Sequence, residues 1–105
     1  MTKAWNAKHI KSVKILGEKF EVVHRKPKKS CYGECMADKR KIELNNDLTG
    51  DFAKRVLIHE MTHGMLHLAG YDYHLNENLE EQLCTLMESF VPHLMEIIDG
   101  KNNQQ

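Results

Sequence analysis

Residues 59–74 read His-Glu-Met-Thr-His-Gly-Met-Leu-His-Leu-Ala-Gly-Tyr-Asp-Tyr-His, and this stretch organises the rest of the chain. It opens with His59-Glu60-x-x-His63. A helix advances about 100° per residue, so His59 and His63 fall one turn apart on the same face. Two imidazoles so placed can bind one zinc ion, each nitrogen approaching to about 2.0–2.1 Å. Glu60 would sit beside such a metal and not on it, placed to take a proton from a water that the metal activates. The flanks are apolar: Val56, Leu57 and Ile58 precede the motif, and Met61, Met65, Leu66 and Leu68 follow. Histidines on a buried helix are often just hydrogen-bonded core residues. Two imidazoles and a carboxylate near a core are nevertheless costly to bury without partners, and one metal ion accounts for all three.

Working outward, the pattern predicts a helix from about residue 50 to Ala69, ended by Gly70, a residue suited to the left-handed conformation after a helix. Thr49 or Asp47 would cap its start. Apolar residues wrap most of the way round, so this helix should be buried on several sides and stand at the centre of the fold. Residues 71–75 read as a connection. Asn76 reads as the N-cap of a second helix, with Glu77, Glu80 and Glu81 in its first turns, where the helix dipole favours negative charge. Leu79, Leu83, Leu86, Met87, Phe90, Leu94 and Ile98 make one apolar stripe along it, and Pro92 should kink or split it near Val91.

Upstream, residues 11–24 read as a β-hairpin, with Val13 and Ile15 on one face and a turn at Gly17-Glu18. Residues 24–30, with Pro27 and four basic residues, read as a solvated loop. Residues 32–37 and 41–44, joined by the turn-like Asp38-Lys39-Arg40, suggest a second hairpin. The expected fold is therefore α+β: a small twisted sheet of three or four strands packed on the motif helix, followed by a long C-terminal helix. Residues 1–10 form an N-terminal arm that Trp5 could pin to the body, and residues 99–105 read as a frayed tail.

The 105 residues suggest one domain, 1–105, with room for a single helix-on-sheet core. The formal net charge is zero, which gives no pointer to nucleic acid or to an anionic membrane. No segment approaches the ~20 apolar residues of a membrane span, and no apolar signal core follows the N-terminus. The expected location is cytoplasmic. Three cysteines, an odd number, fit a reducing compartment better than a disulfide framework. Cys31 and Cys35 form Cys-x-x-x-Cys without a matching second pair, and read as two small residues in a strand or turn.

Catalytic zinc usually has three protein ligands and one position for water. The third could be Glu77, Glu80 or Glu81 on the second helix, or else His67 or His74. Taken together, Tyr32-Gly33-x-Cys35, Lys41-Ile42-x-Leu44, Leu57-Ile58-His59-Glu60-x-x-His63 and Glu80-Glu81-Gln82-Leu83 resemble the small ImmA/IrrE-type metallopeptidases, many of them encoded by phages and mobile elements. The resemblance covers roughly residues 11–98. It implies a zincin-like fold, zinc held by His59, His63 and a glutamate of the later helix, with Glu81 first and Glu80 next, and Glu60 as the catalytic base. The activity implied is hydrolysis of a protein or peptide substrate, a repressor-type regulator in some members.

A second resemblance competes. His63-Gly64-x-Leu66-His67-Leu68-x-Gly70-Tyr71-Asp72 is similar to the signature of the YbeY-type metal-dependent endoribonucleases. That similarity implies His63, His67 and His74 as ligands, although Tyr73 is inserted before His74 and the chain lacks a strong positive charge. A third alternative is a non-catalytic binding module stabilised by zinc; the Glu60 carboxylate has no purpose there. In the peptidase scheme, the strand 41–44 would align an extended substrate if it lay at a sheet edge. His67, Tyr71, Tyr73 and His74 would be candidates to stabilise the developing oxyanion.

Overall fold

The computed structural model describes residues 4–100. Four strands come first: β1 (Ser12–Ile15), β2 (Glu18–Arg25), β3 (Gly33–Met36) and β4 (Lys41–Asn45). Two helices follow, α1 (Gly50–Leu68) and α2 (Glu77–Ile98), joined by a short 3-10 turn at Tyr71–Tyr73. The protein is thus α+β, with a four-stranded mixed sheet and two helices. Among the described residues no helix is long and apolar enough to cross a membrane.

Both expected hairpins form. Leu16 and Gly17 link β1 to β2 with positive φ at both positions, 48° and 83°. That geometry matches the twist of the flanking antiparallel strands. Between β3 and β4 the chain turns through Ala37–Lys39, and Arg40 takes the left-handed conformation at φ 52°. The hairpins join through parallel pairing of β2 with β4, Val22 opposite Ile42 and His24 opposite Leu44, giving the order β1-β2-β4-β3. This order corrects one expectation. Lys41–Leu44 lies in β4, inside the sheet, and the edge strand beside the motif helix is β3. Local alternation identifies strands, but the pairing between two hairpins is non-local and leaves no periodic mark.

One face of the sheet presents Phe20, Val22, Ile42 and Leu44, all buried, and Ala53, Val56 and Leu57 of α1 join them in the core. Burying each large apolar side chain contributes roughly 1.5–3 kcal/mol. Gly64 lets α1 lie close, since a Cβ there would stand 3.0 Å from Ile15 Cδ1 and 3.2 Å from the Phe20 ring. Trp5 does pin the arm. Its carbonyl accepts from Gly50 N–H, and Lys54 Nζ lies 5.6 Å from its ring centroid, so the arm is tied to the start of α1. Residues 1–3 of the arm and 101–105 of the tail lie outside the described residues.

The helix ends are as expected except at one cap. Gly70 has φ 80°, and the Asn76 side chain accepts from Leu79 N–H at 2.8 Å. Thr49 is the N-cap residue of α1 by position, but its side chain makes no capping bond. Pro92 lies inside one continuous helix that is not split: its missing N–H removes a single bond, and half-buried Val91 and Pro92 line one cleft with Leu57 and Ile58 of α1. The apolar stripe lies mostly toward solvent, with Leu83 and Met87 half-buried. Leu79, Leu86, Phe90, Leu94 and Ile98 are exposed, and the buried residue of α2 is Cys84. Its face toward α1 carries Glu80, Cys84 and Glu88 instead, because that side meets the histidines.

Candidate metal centre

His59 and His63 lie on the same face of α1, their ring centroids 5.2 Å apart. Opposite them α2 runs antiparallel, so that His59 meets Glu88 while His63, further along α1, meets Glu80. The His59 Nδ1–H donates to Glu88 Oε1 at 2.7 Å, and its Nε2 lies 3.3 Å from both oxygens of Glu81. The His63 Nδ1–H donates to Glu80 Oε2 at 2.5 Å, and its Nε2 lies 2.5 Å from Glu81 Oε1. Each ring is therefore pinned through Nδ1 to one carboxylate, and both Nε2 atoms converge on a third, Glu81.

A neutral imidazole carries one N–H. With a carboxylate at both nitrogens, a ring is satisfied only as a double donor or with a cation between Nε2 and Glu81. The charge balance points the same way. From Val56 to Gly100 the chain contains no lysine or arginine, while Glu60, Glu80, Glu81 and Glu88 gather here.

Glu60 is buried on the same helix, at the wall of an open cleft of about 580 Å³ between β3, α1 and α2. Gly33 of β3 makes room for it: a Cβ there would stand 3.1 Å from Glu60 Cγ. Burial raises the Glu60 pKa, and the charges of His63 and His59 only partly oppose this. Burial alone would lower the His59 pKa, but its bonds to Glu88 and Glu81 and the Glu60 charge outweigh burial, and the net shift is upward. Glu81 moves down: burial raises it, but the bonds and charges of His59 and His63 prevail.

Cys84 adds a donor that the sequence reading did not weigh. His59, His63 and Cys84 each offer one ligand atom, all within 4.8 Å of one another, a group able to hold a metal ion. The Cys84 thiol is fully buried, and burial together with Glu81, Glu80 and Glu60 pushes its pKa up to about 12. Glu88 was also missed. Helical spacing held the signal for both, since positions 84 and 88 follow Glu80 and Glu81 at one-turn intervals on α2.

The other candidates do not converge on the two Nε2 atoms. Glu80, the alternative ligand, holds the far nitrogen of His63. Glu77 and His74 are exposed, and neither side chain makes a hydrogen bond among the described residues. The His67 Nδ1–H donates to Asp72 Oδ2 at 2.7 Å, with Asp72 Oδ1 buried and lacking a hydrogen-bond partner. His63, His67 and His74 form no three-donor group among the described residues. Tyr71 and Tyr73 are exposed at the end of α1. All three cysteines are free; Cys31 donates to the Gly33 carbonyl at 2.9 Å in a turn, and Cys35 lies in β3. Compared with known proteins, the chain matches no family model, no curated protein and no solved structure.

Proposed function

We propose that the protein is a zinc-dependent metallopeptidase of zincin-like architecture, acting on an extended segment of a protein or peptide. One observation carries this: the Nε2 atoms of His59 and His63 converge on the Glu81 carboxylate, with Glu60 buried beside them. Two imidazole nitrogens and a carboxylate oxygen are a donor set suited to catalytic zinc. His59, His63 and Glu81 would hold the ion, and Glu88 and Glu80 orient the two rings from behind. When bound, zinc supplies an activated water and polarises the substrate carbonyl.

Glu60 takes a proton from that water at its carboxylate and passes it to the leaving amine. A pKa raised by burial suits a group that must both accept and release a proton near neutral pH. Substrate alignment falls to β3. Asn45 N–H donates to the Tyr32 carbonyl at 2.9 Å, so Tyr32, Glu34 and Met36 turn their backbone groups toward β4. Cys35 then turns its N–H and C=O toward the open edge, where an extended chain can add as a further strand. Such a chain would run along the cleft past Glu60.

The test is Glu60→Gln on a panel of unstructured peptides. Zinc binding and fold should persist, while hydrolysis falls by about 10²–10⁴-fold, the usual contribution of a general base. Undiminished cleavage in the variant would remove Glu60 from this role.

A further inference from the structure

We propose that Cys84 donates its thiolate to the same metal, so that the centre is a mixed imidazole–thiolate site selecting a soft or borderline ion. This rests on the metal centre proposed above and extends it from the α1 side of the cleft into the buried face of α2. Two observations carry it. The Cys84 ligand atom lies within 4.8 Å of those of His59 and His63, close enough for one ion to draw the three in at bonds of about 2.0–2.3 Å. Cys84 is completely buried, and its thiol makes no hydrogen bond among the described residues.

Cys84 lies three residues after Glu81, on the same side of α2. The two can reach one ion from one helix, Glu81 from the exposed rim and Cys84 from beneath; with four protein donors the catalytic water would take a fifth position, a coordination number that zinc can adopt. A thiolate donor disfavours Mg²⁺, Ca²⁺ and Mn²⁺, which prefer oxygen ligands, and favours Zn²⁺ and its thiophilic substitutes. Buried cysteines also occur simply as small apolar residues, so the test must register sulfur bonded to metal.

Cobalt(II) reports this directly, because a thiolate ligand adds an intense charge-transfer band in the near ultraviolet. The full chain would be titrated with cobalt(II) under reducing conditions. The double variant Cys31→Ser/Cys35→Ser, in which Cys84 is the only thiol left, and Cys84→Ser would be titrated alongside. We expect one cobalt per chain, a thiolate band in the wild type and in the double variant, and no band in Cys84→Ser. If Cys84→Ser fails to fold, the double variant still decides. Stoichiometric cobalt without the band in that variant overturns the ligand assignment and leaves the metal centre standing. Failure of the wild type to bind cobalt or zinc at all overturns both.

Discussion

His59 reaches across from α1 to Glu88 on α2, its Nδ1–H donating to the carboxylate at 2.7 Å. That contact leaves Nε2 of His59 for other work. With Nδ1 engaged, Nε2 faces Glu81 and the cleft, and Glu80 does the same for His63. The motif on α1 is thereby faced by carboxylates one turn and more apart on α2.

Removing such an orienting partner typically weakens a metal site by about 10–100-fold. Glu88→Ala and Glu80→Ala should each reduce zinc affinity by this order, read by competition with a chromophoric chelator. The secondary structure, read by circular dichroism, should be unchanged. Full affinity in both variants would show that the rings need no support from α2.

The metal-free protein should show a pH-dependent stability traceable to His59. Its folded pKa is raised above the ordinary 6.5. Its ion pairs therefore stabilise the fold fully below 6.5, and this contribution is lost as the pH rises through the raised value. Glu81 has the opposite sign: its folded pKa is lowered from 4.5, so its contribution is present above 4.5 and is lost as the pH falls through the lowered value. The Tm difference between wild type and His59→Ala, both without metal, should be largest below 6.5 and shrink on the alkaline side. A difference that grows with pH would contradict the assignment.

Gly33 is the point where β3 touches Glu60, the proposed base. A Cβ there would meet Val56 at 3.0 Å and both Glu60 and Leu44 at 3.1 Å. Gly33→Ala should cost stability on the scale of overpacking, about 1–3 kcal/mol. It should also lower hydrolysis by displacing Glu60, while zinc binding persists. Thermal melts and peptide cleavage rates measure the two effects separately.

Much of this architecture was legible in the sequence, for local reasons. Alternation at Val13, Ile15, Ile42 and Leu44 marked strands, Gly17 marked a turn, and Gly70 and Asn76 marked helix ends. The His59/His63 spacing needed only the geometry of one helix. The non-local features were hidden. Parallel pairing of β2 with β4 joins segments that share no turn, and it moved the open edge from β4 to β3. The stripe on α2 has the right period for a buried face, yet α1 docks on the side bearing Cys84 and Glu88. Periodicity finds an apolar face but does not state what will cover it.

That displacement of the packed face has a measurable consequence. Leu86 is 61% exposed and Phe90 49% exposed. Leu86→Gln and Phe90→Gln should each change stability by no more than about 0.5 kcal/mol, as surface substitutions do. Cys84→Asp, which buries a carboxylate among Glu60, Glu80 and Glu81, should cost several times as much without metal. A large loss for Leu86→Gln would mean that the stripe is covered in solution.

The most direct measurement is zinc affinity across four single variants: His59→Ala, Glu81→Ala, His67→Ala and His74→Ala. His63 is common to the peptidase and ribonuclease assignments, so these four positions separate them. Convergence of His59 and His63 on Glu81 predicts large losses for His59→Ala and Glu81→Ala. His67 is held by Asp72 and His74 is exposed, so those two variants should bind nearly as the wild type does. Zinc binding that survives His59→Ala and Glu81→Ala but collapses in His67→Ala and His74→Ala would contradict this centre and make RNA cleavage the activity to assay.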